Sequence, residues 1–486
     1  MHTIIHGDCL EELKKLDDNS VDAVITDPPY GLSNTKPKQV ADVLKAWVTG
    51  ETEAVPAKRG GFMGKDWDSF VPPPAVWAEC LRVLKPGGHM AVFAGARTQD
   101  LMGLSIRLAG FEIRDTLGWI YGSGFPKSMD VSKAIDKTKK ISIHKRCGSP
   151  VSTDEKDITL LGDDGESSGY SAACLKCDED LFPFEIEQVS ASEVREVVGS
   201  GSAGAGLNPV KGFGSGVTTV GDKVSSQTWD VTAPATSEAQ RWDGWGTSLK
   251  PAIEPIILAR KPLDGTVASN VLAHGVGGLN IDACRVPSDE VTGWGGAGAG
   301  GQTWNSENMG LGKDGDARPV QGRFPANVLL DEHAAKEMDR QSGRSVSRAN
   351  KSSDGRGAEG SHIFASSSFG RRDPSNSYND SGGASRFFPV FKYQAKAPKR
   401  ERPVIVREDG TKVQHPTVKP LALMEWLVTL ITPEGGTILD PFAGTGTTLQ
   451  AAVNKGFNPI GIEADTDYIQ LINQRMEGGE QSTRNN

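Results

Sequence analysis

The chain has 486 residues, of which 37% are apolar, and a net charge of −9; this is length for a sizeable core and about two to four domains. The charge excludes a protein coated uniformly in basic residues and leaves nucleic-acid binding to local basic surfaces. No apolar run reaches the ~20 residues that span a bilayer. The N-terminus carries Asp8, Glu11 and Glu12 where an export signal would be apolar. Six cysteines at this length make no disulfide scaffold, so a reducing, cytoplasmic compartment is expected.

In chain order, Cys9 to Leu16 reads as a helix, and Asp8 stands at its N-cap position. Residues 21–26 (VDAVIT) form a short β-branched run that stops at Asp27-Pro28-Pro29, the pattern of a buried strand ending in a turn. Residues 75–84 (AVWAECLRVL) suit a helix, Lys85-Pro86-Gly87-Gly88 stops it, and His89 to Ala94 reads as the next strand. A further strand is expected from Glu112 to Tyr121. The apolar run Pro255 to Ala259 reads as a core strand returning to the same sheet. Near the far end come a helix (Leu421–Ile431), a strand (Thr437–Asp440), a glycine-rich turn and a helix (Thr447–Lys455). A strand (Asn458–Glu463) and a last helix (Asp467–Arg475) follow. Alternating strands and helices predict an α/β fold, a doubly wound and mainly parallel sheet covered on both faces.

Between these regions the composition changes, with Gly, Ser, Asn and Asp enriched over 148–245 and 286–385. The division expected is a first half of the core over 1–127, an insertion over 128–245 and a return to the core over 246–285. A variable region over 286–390, a second half of the core over 391–478 and a disordered tail over 479–486 complete it.

Two motifs carry chemistry. Asp27-Pro28-Pro29-Tyr30 sits at the carboxyl end of a strand, where open α/β sheets bind ligands. The prolines make a rigid turn and remove two backbone donors. Carbonyls and the Asp27 carboxylate remain as acceptors, the inventory that holds an NH2 group. Tyr30 adds an aromatic face for stacking a flipped base. The alternative is an ordinary turn. The second motif, Asp440-Pro-Phe442-Ala-Gly444-Thr-Gly446, follows a strand and opens a helix. Its glycines admit a ligand close to the backbone. Leu449 occupies the place of the third glycine of a nicotinamide fold, while Glu463 ends the next strand, where an acid accepts from a ribose diol. A nucleoside ligand without a required pyrophosphate fits. A tight turn with no ligand is the alternative.

With these segments the chain resembles the N4/N6 amino DNA methyltransferases. Leu84-Lys-Pro-Gly-Gly88, Gly122-Ser-Gly-Phe-Pro-Lys127 and His415-Pro-Thr-Val-Lys-Pro420 match as well. The catalytic motif precedes the cofactor loop, as in the permuted group called β. The resemblance covers roughly residues 1–127, 246–285 and 390–478. It implies a Rossmann-like S-adenosylmethionine-dependent methyltransferase sheet with two long insertions, acting on double-stranded DNA. By the resemblance, Asp27 and the Pro28 carbonyl bind the target amino group within the Asp27-Pro28-Pro29-Tyr30 turn, and Tyr30 stacks on the base. It makes Asp440, Phe442, Gly444, Gly446 and Glu463 the cofactor cradle. It puts Asp8 at the cofactor adenine, the helix N-cap being the other reading of that residue. It sets Thr417 and Lys419 beside the cofactor's amino-acid end, a solvated loop being the other reading.

Asp at the head of the tetrapeptide leans to adenine N6, since relatives acting on cytosine N4 more often carry Ser there. Cytosine N4 is the alternative reaction. A protein-glutamine methyltransferase would carry Asn-Pro-Pro-Tyr downstream of its cofactor loop, and a DNA-binding module that has lost catalysis is opposed by the intact Asp27, Tyr30, Gly444 and Glu463. A role in restriction–modification, or in protecting a mobile element's genome, in a bacterial or phage-infected cell is expected, with the enzyme a monomer or homodimer.

Phosphate contacts are expected from two basic segments, through Lys133, Lys139 and Lys140 in the first and Lys396, Lys399 and Arg400 in the second; solvated surface is the alternative. The variable region 286–390 is the expected place for reading the target site. His144-x2-Cys147 and Cys174-x2-Cys177 have the paired spacing of a tetrahedral Cys3His zinc site, against four unrelated residues. Cys9, Cys80 and Cys284 are expected to be small core or surface residues.

Overall fold

A computed structural model describes residues 2–33, 35–56, 68–122, 128–144, 172–173, 180–181, 186–202, 228–294, 318–346, 381–391, 403–407, 409–414 and 418–483. The chain divides into two compact units, one of residues 1–124 with 252–486 and one of residues 125–251.

The first unit is built on a nine-stranded sheet. Its strands are β1 (Thr3–His6), β2 (Val21–Thr26), β3 (Leu84–Phe93), β4 (Glu112–Ile120), β5 (Ile253–Arg260), β6 (Val328–Asp331), β7 (Val390–Phe391), β8 (Thr437–Asp440) and β9 (Asn458–Glu463). They lie in the order β1-β9-β8-β2-β3-β5-β4-β6-β7. Only β5 runs antiparallel to its neighbours. Chain ends far apart in sequence are therefore adjacent strands: β2 pairs with β8 through Ala23↔Ile438 and Val24↔Leu439.

Strand alternation explains the two cores. Side chains of a strand point to opposite faces in turn, and a parallel sheet is buried on both. On β2 and β3, Val24, Met90 and Val92 face one cluster, with Leu13, Trp77, Met102 and Ile106. These come from α1 (Cys9–Leu13), α3 (Pro74–Val83) and α4 (Gln99–Leu108). Ala23, Ile25, Ala91 and Phe93 face the other, with Leu423, Met424 and Leu427 of α7 (Leu421–Ile431). A twelve-residue helix, α2 (Pro37–Val48), adds Val43 and Trp47 to the first cluster. The remaining helices are α5 (Val267–His274), α6 (Glu332–Ser342), α8 (Thr447–Asn454) and α9 (Thr466–Thr483).

Several expectations shift. The Lys-Pro-Gly-Gly segment does not separate helix from strand. α3 ends at Val83 and β3 begins at Leu84, with the register against β2 slipping between Val21 and Ala23. Gly87 makes this bulge possible: its φ is +76°, and a Cβ there would lie 2.2 Å from Asn270 Nδ2. The region 286–390 is not wholly outside the core, because β6 and β7 extend the sheet beyond β4. A Gly/Ser-rich composition hid two strands of four and two residues. The last helix runs to Thr483, into the segment expected as a tail.

Among its described residues, the second unit contains the helix Val131–Thr138, capped by Asp130, and three short antiparallel ribbons. Asp136 is its buried anchor. It pairs with Arg195 and accepts from Thr236 Oγ1 at 2.7 Å and Ala235 N at 2.9 Å, so the buried charge is fully satisfied.

Candidate active site

The carboxyl ends of β2 and β8 meet where the connections leave in opposite directions, the crevice in which doubly wound sheets hold ligands. Thr26, the last residue of β2, donates from Oγ1 to Asp440 Oδ1 at 2.7 Å. The two sequence motifs are joined by this bond.

The tetrapeptide follows directly. Asp68 Oδ1 accepts from the backbone N–H groups of Tyr30 at 2.8 Å and Gly31 at 2.9 Å. Thr98 Oγ1 donates to the Tyr30 carbonyl at 2.6 Å. Thr98 stands at the N-cap of α4 but makes no side-chain cap bond there; its hydroxyl is spent on the tetrapeptide instead. Gly31 has φ +66°, and a Cβ there would lie 2.7 Å from Val71 N. The turn is thus clamped from two sides. The buried Pro28 carbonyl accepts no hydrogen bond among the described residues.

Around the Tyr30 hydroxyl lie three polar side chains. It is 2.7 Å from Asp27 Oδ1, 2.7 Å from Glu254 Oε1 and 2.9 Å from Lys419 Nζ. Lys419 Nζ is also 3.0 Å from Asp27 Oδ2 and 2.9 Å from Glu254 Oε1, and 4.7 Å from the centre of the Phe93 ring. Burial disfavours the Lys419 charge, but Asp27 and Glu254 outweigh it and hold the ammonium above its ordinary pKa. Burial, then the charges of Asp27 and Glu254, raise the Tyr30 phenol well above the usual range, so it acts as a neutral hydroxyl.

On the other side, Asp440 is buried. It accepts from Thr26 and from Phe442 N at 3.1 Å, and burial raises its pKa to about 6. Its side chain is an internal strut of the turn. Gly444 (φ +54°) and Gly446 (φ +73°) are left-handed, a conformation costing an ordinary residue about 1–2 kcal/mol. Gly446 caps α8. Glu463 accepts from Gly444 N at 2.8 Å and Asp465 N at 2.9 Å, and burial raises its carboxyl. From α9, Arg475 Nε donates to the Thr445 carbonyl at 2.6 Å. Phe442 packs on Trp77 at 6.4 Å between ring centres. Asp8 is the N-cap of α1, accepting from Leu10 and Glu11 through Oδ1.

The structure therefore brings together Asp27, Pro28, Tyr30, Asp440, Phe442, Gly444, Gly446 and Glu463. It sets Lys419 against the tetrapeptide. Glu254, Asp68, Thr98 and Arg475 were not foreseen. Only Glu254 left a trace: a carboxylate at the head of an otherwise apolar strand. Thr417, Lys396, Lys399, Arg400, Cys147, Cys174 and Cys177 lie outside the described residues, as do the side chains of Lys140 and His144. The candidate zinc site therefore has no described side chain, and no metal-binding cluster occurs among the described residues. In the second unit, Lys133 is exposed and Lys139 pairs with Glu238 at 2.8 Å. No helix among the described residues is long and apolar enough to cross a membrane. Cys80 and Cys284 are buried and Cys9 is partly so, the small packing residues expected.

Fold and site together define a doubly wound α/β protein with a clamped carboxylate-and-carbonyl turn beside a glycine-rich turn. A family model described as DNA methylase matches residues 21–474, and the chain belongs to this N6/N4 DNA methylase family. Type II methyltransferase M2.DpnII of Streptococcus pneumoniae is 44% identical over 64 residues, 13% of this chain and 24% of that protein. Type II methyltransferase M.BglI of Bacillus subtilis is 46% identical over 63 residues, 13% and 18% of the two chains. DNA adenine methyltransferase YhdJ of Escherichia coli K12 is 36% identical over 121 residues, 25% and 34%. The matches thus span about a fifth to a third of these relatives. The cytosine-N4-specific PvuII DNA methyltransferase structure aligns over 98% of this chain and 87% of that one, at 11% identity and a TM-score of 0.37.

Proposed function

We propose that the chain transfers a methyl group from S-adenosylmethionine to the N6 amino group of adenine in double-stranded DNA, after flipping the base. The observation that carries the reading is the Thr26–Asp440 bond, which fixes the amine-acceptor turn beside the glycine cradle. Adenine rather than cytosine is favoured by Asp27 at the head of the tetrapeptide.

The residues present fit the cofactor. Two left-handed glycines open the turn after β8, and Glu463 holds a carboxylate at the end of β9. Each Glu463 oxygen keeps a lone pair for a ribose hydroxyl beyond its backbone donor. Asp8 Oδ2 accepts no hydrogen bond among the described residues and would face the adenine. When bound, S-adenosylmethionine supplies a methyl group activated on a sulfonium.

The protein's task is the nucleophile. An exocyclic amine conjugated to a purine is a poor nucleophile because its lone pair is delocalised. Asp27 and the Pro28 carbonyl supply two acceptors for its two N–H bonds. Held this way, the nitrogen pyramidalises and its developing positive charge is stabilised. Rigidity is essential, and the Asp68 and Thr98 clamps provide it. No cysteine nucleophile is required. Flipping costs a few kcal/mol, part of which stacking on the Tyr30 ring offsets.

Asp27→Ala tests the reading. Labelled methyl transfer to DNA is expected to vanish while calorimetry shows S-adenosylmethionine still bound. Near-normal transfer by the variant would refute the assignment. Sequencing that detects methylated bases, applied to DNA from cells expressing the chain, reports base, atom and site together.

A further inference from the structure

Glu254 has no part in the mechanism above, yet it shares the cluster that holds Asp27. We propose that Glu254 is a positioning residue for Asp27: it takes up the charge of Lys419, so that the cluster keeps a net negative charge and a free acceptor toward the target amine. The inference rests on the methyl-transfer reading.

Three observations carry it. First, β5 runs antiparallel, so its beginning lies at the carboxyl edge of the parallel strands. Glu254, its second residue, therefore stands at the ligand edge. Two other ion pairs of the sheet, Asp22–Lys85 and Glu112–Arg260, involve the opposite ends of β2 and β5 and brace the far edge.

Second, Lys419 Nζ has three protons and three oxygen partners, Asp27, Glu254 and Tyr30, at 2.9–3.0 Å. With Asp27 alone, the lysine would form a closed neutral pair. Such a carboxylate is a weak acceptor and offers little field to a positive charge growing on the target nitrogen. Two carboxylates and one ammonium leave a net negative charge. Third, the Tyr30 hydroxyl has one proton and stands 2.7 Å from both Asp27 Oδ1 and Glu254 Oε1. It can donate to either. Turned to Glu254, it releases Asp27 Oδ1 for an N–H bond of the base, at no cost in buried hydrogen bonds.

A merely structural Glu254 and a charge-balancing one differ in how its loss couples to that of Lys419. In Glu254→Gln the ammonium is left with Asp27 as its only carboxylate. In Glu254→Gln/Lys419→Met the ammonium is gone and Asp27 is again an unpaired carboxylate. The assay is single-turnover transfer of labelled methyl from S-adenosylmethionine to unmethylated genomic DNA by the full chain, with cofactor affinity from calorimetry. Glu254→Gln is expected to slow transfer on the order of a hundredfold with cofactor affinity unchanged. Adding Lys419→Met is expected to recover about tenfold of that loss, the sign reversal that only coupled charges produce. The proposal is overturned if Glu254→Gln transfers within about threefold of wild type, or if the double variant is no faster than Glu254→Gln. Should Glu254→Gln fail to bind cofactor, the double variant decides: restored binding and transfer support the charge balance, and continued loss overturns it. A wild-type chain that transfers no methyl retires the functional reading itself, whereas an active wild type with an indifferent Glu254 retires only this inference.

Discussion

Asp68 is the sharpest test of how the tetrapeptide is held. One oxygen accepts from two backbone N–H groups, of Tyr30 at 2.8 Å and Gly31 at 2.9 Å, and the residue is only 5% exposed. Asp68→Ala leaves both donors without that acceptor. Each orphaned buried donor costs about 1–3 kcal/mol, so with partial solvation by entering water the loss is about 2–5 kcal/mol. The functional cost is separate. The Asp27–Tyr30 turn would relax, and a misplacement of about 1 Å lowers a rate on the order of a hundredfold. Cofactor affinity is expected to stay constant, because Glu463 and Arg475 hold the glycine turn independently. Asp68→Asn keeps the oxygen acceptor and is expected to retain most of both properties. Urea denaturation measures the first quantity and single-turnover methyl transfer the second. An Asp68→Ala protein as stable and as fast as wild type would refute the clamp.

Three further outcomes follow from particular contacts. Gly446→Ala forces a side chain into φ +73° with its Cβ 3.0 Å from Ile472; stability should fall by about 1–3 kcal/mol and cofactor affinity with it, and calorimetry showing wild-type affinity would count against the cradle. Asp440 has a folded pKa of about 6 against 3.8. Its stabilising contribution is therefore full below the unfolded value and lost as pH rises through about 6. Asp440→Asn, which does not ionise, should gain about 3 kcal/mol relative to wild type between pH 4 and 7, and a pH-independent difference in urea unfolding would sink the argument. Trp77→Ala removes a fully buried ring that packs on Phe442. It should cost about 3–5 kcal/mol and weaken cofactor binding, and a thermal melt unchanged from wild type would show the packing to be dispensable.

Much of the architecture was legible because its signals are local. A β-branched run ending at Asp27-Pro28-Pro29, and a strand ending at Asp440 before Gly444 and Gly446, need no tertiary information. The bulge at Gly87 was less visible, since the same Lys-Pro-Gly-Gly string serves as a helix stop or a strand bulge; the pairing with β2 decides between them. β6 and β7 were hidden because a strand of two to four residues leaves too few alternations to detect.

What the chain's order of residues determined by itself was the chemistry at hand: a rigid set of acceptors, an aromatic face, a glycine turn and an acid at the following strand's end. Those follow from backbone restriction and side-chain inventory. What only the folded sheet decided was which groups meet. Crossover connections placed β2 beside β8, and the reversal of β5 carried Glu254 to the same edge as Asp27. Lys419 then arrived from the segment before α7 to sit between the two carboxylates. Such meetings arise from strand order and direction, which no short stretch of residues encodes.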